Sequence, residues 1–202
     1  MAEIRSFIAI ELTQAVLDGL IKVQDELRAD EWTDEVRWVR PEGIHLTLKF
    51  LGDVPANRID AIGEAMERAV AGSRPFSITA EGLGVFPNWR RPRVVWVGLK
   101  GDVSQLHALQ GKVEQSMAEL GFEPEGRRFH PHLTLGRVNR RASSGYQRRL
   151  GEALQSHTVH VVGGMQVEEV SLMRSQLSPR GAKYTQLGVY PLSLVVGKGG
   201  DG

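Results

Sequence analysis

Cysteine is absent from the 202-residue chain, which excludes disulfides, thiolate nucleophiles and thiolate metal centres. Long hydrophobic runs are absent as well. The opening Met1-Ala2-Glu3-Ile4-Arg5 has no extended apolar segment, and no stretch approaches membrane-spanning length. A cytoplasmic protein without a membrane partner is the expectation. Charge of one sign is scarce: a formal net charge of +1 argues against a protein that coats nucleic acid by bulk electrostatics. No strand-like run leads into Gly-x-Gly-x-x-Gly, so a doubly wound dinucleotide-binding fold fits poorly. Hydrophobic residues make up 41%, enough for a sizeable core. The length suits one domain over residues 1–197, with a glycine-rich tail at 198–202 expected to be disordered.

What is present is a repeated tetrapeptide: His45-Leu46-Thr47-Leu48 recurs as His132-Leu133-Thr134-Leu135, 87 residues later. Each copy sits in an apolar, strand-like run. Side chains two apart on a strand share a face, so imidazole and hydroxyl point one way and both leucines the other. With 6 histidines and 7 threonines in the chain, chance supplies roughly 0.2 His-x-Thr matches. Two matches with identical leucines in the gaps are a signal. Arginine is locally dense at Arg90-Arg91-Pro92-Arg93, Arg127-Arg128, Arg140-Arg141 and Arg148-Arg149. A focused positive rim can surround a site on a protein of nearly zero net charge.

Hydrophobic periodicity orders the rest. Strand patterns occupy 7–12, 36–39, 44–51, 76–85, 94–99, 131–138, 159–162, 167–173 and 184–190, with Gly52-Asp53 closing the first motif strand. Helical spacing runs from Val16 to Leu27 behind a Thr13 N-cap, from Ile59 to Val70, from Val103 to Leu120 before Gly121, and more weakly from Tyr146 to Leu154. Strand–helix–motif strand–helix–strand appears once in each half. This order predicts an α+β fold of two similar lobes related by a pseudo-twofold. Mixed or antiparallel sheets would form a central cleft, with the helices outside and the two His-Thr strands side by side near the axis.

At these residues the chain resembles the 2H phosphoesterase superfamily, named for paired His-x-Thr/Ser motifs, and within it the RNA 2′,3′-cyclic phosphodiesterase (2′-5′ RNA ligase-like) branch. The resemblance covers nearly the whole chain. It includes Arg5-Ser6-Phe7-Ile8-Ala9-Ile10, Trp38-Val39-Arg40-Pro41-Glu42-Gly43-Ile44, Lys49-Phe50-Leu51-Gly52 and Phe86-Pro87. It continues through Arg91-Pro92-Arg93-Val94-Val95-Trp96, Phe129-His130-Pro131, Gly136-Arg137 and Ser178-Pro179-Arg180-Gly181-Ala182-Lys183-Tyr184. The resemblance implies His45 as the acid that protonates the departing ribose oxygen. It likewise implies His132 as the base that activates water, leaving a terminal 2′-phosphate, with no cofactor. The residues themselves do not tell acid from base.

In-line displacement at phosphorus needs a base on the attacking oxygen and an acid on the leaving oxygen. Two imidazoles titrating near 6.5 suit those jobs. The Thr47 and Thr134 hydroxyls can donate to the non-bridging phosphate oxygens. Strict alternation turns Arg137 away from that face, and a bulge at Gly136 would turn it back toward the phosphate. His130 and His132 share strand parity and could be two metal ligands, but Pro131 between them and the lack of a third ligand favour a metal-free site. His130 then lines the site or orients a neighbour. Trp89 and Arg93, in a loop mixing an aromatic with cations, are candidate RNA contacts alongside His130. Phe7, Trp38 and Tyr184 read as core. His107, His157 and His160 read as surface or structural residues. The expected partner is an RNA or oligonucleotide with a 2′,3′-cyclic phosphate end, bound by a monomer. Two other readings stand beside hydrolysis of such ends: cleavage or reversible formation of 2′-5′ linkages, and an RNA-end binding module without turnover.

Overall fold

The computed structural model describes residues 2–178 and 181–193. The tail expected at 198–202, and Pro179 and Arg180 of the resemblance, lie outside the described residues. Nine strands appear among the described residues: β1 (Glu3–Ile10), β2 (Val36–Trp38), β3 (Leu46–Pro55), β4 (Phe76–Phe86), β5 (Val94–Gly101), β6 (His132–Val138), β7 (Val161–Val167), β8 (Glu169–Ser178) and β9 (Gly181–Pro191). Four α-helices accompany them: α1 (Gln14–Arg28), α2 (Ile59–Val70), α3 (Val103–Glu119) and α4 (Ser144–Ser156). One sheet has the order β3-β1-β8-β9 and the other β2-β6-β5-β4-β7. Every ladder between these strands is antiparallel.

The fold is the α+β, two-lobed architecture that the repeat implies, but the lobes are not the two halves of the sequence. Helices α2 and α3 cover the first sheet, and α1 lies against β7 of the second. Each half therefore sends its first helix to the other half's motif strand. Gln24, on α1 and fully buried, donates from Nε2 to the carbonyls of Val39 and Leu135 at 2.8 Å each. Gln110, on α3, reaches the carbonyl of Leu48 at 3.5 Å. Leu48 and Leu135 hold the same place in the two motifs, so the brace is reciprocal.

Several boundaries depart from the sequence pattern for local reasons. The first motif strand does not stop at Gly52-Asp53; Gly52 takes a positive φ of 73° inside it, and pairing with β1 continues to Pro55. The runs at 159–162 and 167–173 regroup, because Gly163 and Gly164 lie within β7 and not between strands. Those positions let α1 approach closely: a Cβ on Gly163 would sit 3.3 Å from the Val16 Cα, and one on Gly19 would collide with the Val162 carbonyl. Thr13 is the N-cap of α1, yet its side chain makes no capping bond. Gly121 ends α3 as expected, with a φ of 84° and its N–H donated to the Ala118 carbonyl.

Replacing Gln24 by leucine should leave buried carbonyls short of a donor. The expected cost is about 2 kcal/mol, which for a chain this long lowers the melting temperature by roughly 4–8 °C. An unchanged melting temperature would show that the inter-half brace contributes nothing.

Candidate active site

Both motifs alternate as their sequence requires. Leu46, Leu48, Leu133 and Leu135 are 0–4% exposed in the core, while His45, Thr47, His132 and Thr134 are half-buried on the other face. Each strand then carries a bulge at the same position. Opposite β1, Ile8 pairs with Lys49 and Ala9 with Thr47, so Leu48 is the extra residue. Opposite β5, Val95 pairs with Gly136 and Trp96 with Thr134, so Leu135 is. The additional residue reverses the phase of the strand beyond it. Lys49 and Gly136 become buried, and Phe50 and Arg137 emerge on the side of the histidines and threonines. The bulge lies one residue earlier than Gly136 alone suggests.

Buried Lys49 requires a partner, and Glu114 of α3 supplies it through an Nζ–Oε1 ion pair; the Glu123 carbonyl accepts a second bond from Nζ at 2.9 Å. Phe50 is 60% exposed, and its ring centroid lies 5.7 Å from that of Phe7. The sequence pattern gives neither Lys49 nor Phe50 a role. For Phe50 the sign is its position, three past Thr47, where the second motif carries Arg137 three past Thr134.

The imidazoles are held alike. His132 Nδ1–H donates to the carbonyl of His130, two residues back, at 2.7 Å. His45 bonds to the backbone of Gly43, also two residues back. The bond to His130 fixes the His132 tautomer and leaves Nε2 with no hydrogen-bond partner among the described residues. The His45 ring stacks on Phe7 at 4.6 Å and meets the edge of Tyr184 at 5.0 Å. The His132 ring stands edge-on to Phe86 at 4.9 Å and tilted to Trp96 at 6.1 Å. Phe7, read from sequence as core, is buried in a small cluster with Ala9 and Met173, and with Tyr184 packed against that cluster it also forms the wall around one histidine.

Burial lowers the His45 imidazole from 6.5 to about 4, its hydrogen bond to Gly43 opposing the shift. His132 is also lowered, first by burial and then by the charges of His130 and Arg137, with the bond to the His130 carbonyl opposing. The expectation of two imidazoles near 6.5 is thus corrected: burial holds both below that value and favours the neutral form. Burial raises Tyr184, and Arg137 and Arg5 oppose that rise. Arg137 therefore acts electrostatically on His132 in one wall and on Tyr184, the neighbour of His45, in the other. The hydroxyls of Thr47 and Thr134 have no hydrogen-bond partner among the described residues.

The other candidates lie further out. His130 is exposed, its ring 5.0 Å from Trp96 and 5.4 Å from Phe86, and its carbonyl orients His132. Arg93 Nη1 donates to the carbonyls of Asn139 and Arg140 at 3.1 and 3.2 Å. Trp89 packs against the core, and its carbonyl lies so close to α4 that a Cβ on Gly151 would strike it. Among the described residues, no three side chains of the His, Asp, Glu or Cys type converge as a metal site. No helix among them is long and apolar enough to cross a membrane.

A pair of antiparallel sheets carrying reciprocal His-x-Thr strands is the architecture of a two-lobed phosphoesterase. The family model described as LigT like phosphoesterase matches residues 10–96 and 97–184, and the chain belongs to this family. A Methanothermobacter thermautotrophicus protein named RNA 2′,3′-cyclic phosphodiesterase is 37% identical over 190 residues, spanning 94% of this chain and 100% of that protein. One of the same name from Archaeoglobus fulgidus is 32% identical, over 92% of this chain and 99% of its own length. Among solved structures, TT0787 of Thermus thermophilus matches with a TM-score of 0.75 at 26% identity, covering 93% of this chain and 97% of that one. E. coli LigT complexed with 3′-AMP gives a TM-score of 0.75 at 25% identity, covering 95% and 99%.

The lowered His45 links to stability with a definite sign. An unfolded chain takes up the His45 proton near pH 6.5 and the folded one only near pH 4. Between those values the unfolded state holds more protons, so stability falls as pH falls, by about 3 kcal/mol in total from this group. His45→Gln should reduce the difference in unfolding free energy between pH 7 and pH 4.5, read by urea denaturation. Identical pH dependence in variant and wild type would contradict the buried, neutral imidazole.

Proposed function

We propose that the protein hydrolyses 2′,3′-cyclic phosphate ends of RNA or nucleotides to 2′-phosphates, using two histidines and no metal. The observation that carries this reading is the pair of half-buried imidazoles, each anchored to a backbone two residues back and each beside an unpartnered threonine hydroxyl. A binding module would need acceptors and donors for phosphate, but not two imidazoles locked in matching orientations. The relatives named RNA 2′,3′-cyclic phosphodiesterase support the substrate class, and the complex of E. coli LigT with 3′-AMP supports a nucleotide occupant.

In the proposed step, water attacks phosphorus opposite the ribose O3′ and gives a proton to neutral His132. The P–O3′ bond breaks, and O3′ receives a proton from His45. The products are a 2′-phosphate and a free 3′-hydroxyl. Thr47, Thr134 and Arg137 hold the non-bridging oxygens as charge develops there. Phe50, exposed beside Phe7, offers an apolar face to a base. Burial favours neutral His45, so its role as acid requires the bound phosphate anion to raise its affinity for a proton.

Incubating the protein with RNA ending in a 2′,3′-cyclic phosphate, with and without chelator, and locating the product phosphate tests the reading. A 2′-phosphate formed in either condition is expected. A 3′-phosphate product would refute the placement of His45, and loss of activity in chelator would refute the metal-free scheme. His45→Ala and His132→Ala should each lower kcat by about 10²–10⁴-fold with the fold intact. Near wild-type turnover by either variant would end the two-histidine mechanism.

The depressed imidazoles also set the pH dependence. The kcat/KM profile reports the free enzyme and kcat reports the complex. With both histidines lowered by burial in the free enzyme and raised by the substrate anion, the kcat/KM optimum should lie at lower pH than the kcat optimum. Coincident optima would show that substrate does not shift the pair, whose limbs belong to both groups together.

A further inference from the structure

The arginine-rich loop between β4 and β5 also borders a second feature. With the start of α4 it borders an open surface cavity of about 620 Å³, lined by Asn88, Arg90, Arg91, Ser144, Gly145 and Arg148. Arg90 and Arg91 make no ion pair among the described residues, and Arg91 is exposed. Arg148 has only a loose contact with Glu152, at 3.9 Å between two exposed side chains. Among the described residues, no acidic side chain lines the cavity. Three arginines line the cavity, and only Arg148 has a carboxylate contact, the loose one to Glu152.

The loop is anchored in the cleft at both ends. Phe86, just before it, stands edge-on to His132, and Val94, just after it, pairs with Arg137. Arg93 and Trp89, singled out in the sequence as RNA contacts, are engaged by the protein: Arg93 by the Asn139 and Arg140 carbonyls, Trp89 by α4. They hold the loop so that Arg90 and Arg91 face the cavity.

We propose that this cavity binds the phosphodiester backbone of the RNA strand 5′ to the cyclic phosphate, making it a second, sequence-independent subsite. The inference rests on the cyclic phosphodiesterase reading. The chemistry is that of guanidinium with phosphate. No aromatic side chain lines the cavity to stack a base, so backbone charge and not sequence is what it recognises. The volume exceeds the needs of a single phosphate and suits a strand passing through. Asn88 lies two residues beyond Phe86, so the cavity begins within about 7 Å of chain from a side chain that touches His132. A mononucleotide 2′,3′-cyclic phosphate has no 5′ phosphodiester to offer the cavity, whereas a longer strand does.

The test uses the full chain carrying Arg90→Gln, Arg91→Gln and Arg148→Gln together, with two substrates: adenosine 2′,3′-cyclic phosphate and an octaribonucleotide ending in a 2′,3′-cyclic phosphate. At low salt, kcat/KM for the octamer should fall about tenfold while the mononucleotide is unaffected. The plot of log kcat/KM against log salt should become shallower for the octamer by about 0.7 for each phosphate no longer neutralised. An unaffected octamer, or an equal fall for both substrates, would overturn the subsite. If the wild-type protein hydrolyses neither substrate, the cyclic phosphodiesterase reading fails by itself. The cavity is then judged by fluorescence anisotropy with a labelled octamer ending in a 2′-phosphate. Weaker binding by the triple variant supports the subsite, and equal binding overturns it.

Discussion

One unpaired residue in each motif strand governs the geometry of the cleft. A strand that kept perfect alternation from His132 would bury Arg137 in the wall and present Gly136 to the site. The bulges at Leu48 and Leu135 reverse that phase after each threonine. They give each motif a third side chain on the working face, Phe50 in one lobe and Arg137 in the other. The cleft is thereby symmetric in its imidazole and hydroxyl groups and asymmetric in what flanks them: apolar on one side, cationic on the other. A substrate with a base at one end and charged oxygens at the other matches that asymmetry.

A bulge interrupts the ladder, and the backbone groups it releases must find partners elsewhere. The Leu135 carbonyl accepts from Gln24 Nε2 and from the Val39 N–H, both at 2.8 Å. On the other motif, buried Lys49 is tied to Glu114 and to the Glu123 carbonyl. The helices that make these bonds belong to the opposite half of the sequence. The same packing that satisfies the bulges encloses the two imidazoles in aromatic walls, and the loss of water there is what keeps them neutral at rest.

Much of this was legible in the sequence because it rests on short-range rules. The period-2 pattern of His45-Leu46-Thr47-Leu48 and its copy sorts core from cleft, and the helical spacing of Ile59 to Val70 matches α2. Repetition of the motif announces two lobes. The remainder depends on contacts distant in sequence. Gly163 and Gly164 look like a break between strands until α1 is seen against β7. Lys49 looks like a solvated cation until Glu114 meets it from α3. Phe7 and Tyr184 read as core because their apolar character is plain, while their contact with His45 arises only when β1 and β9 join the same sheet. The acid–base assignment is not written in composition or spacing at all, since the two motifs are identical.

The exchange of helices between the halves also constrains how the chain can be made. As synthesis proceeds from the N-terminus, α1 emerges well before the strand it covers, β7, which begins at Val161. Strand β1 waits for β8, its partner through Ser171 to Arg174, for its second ladder. Neither sheet can be completed until most of the polypeptide has left the ribosome. Such long-range pairing slows folding and leaves apolar surface uncovered meanwhile. Cutting the chain at the boundary between its two repeats would not yield two small folded units. It would yield two fragments, each carrying the helix that the other lacks, and their mutual capture would be needed to restore either one.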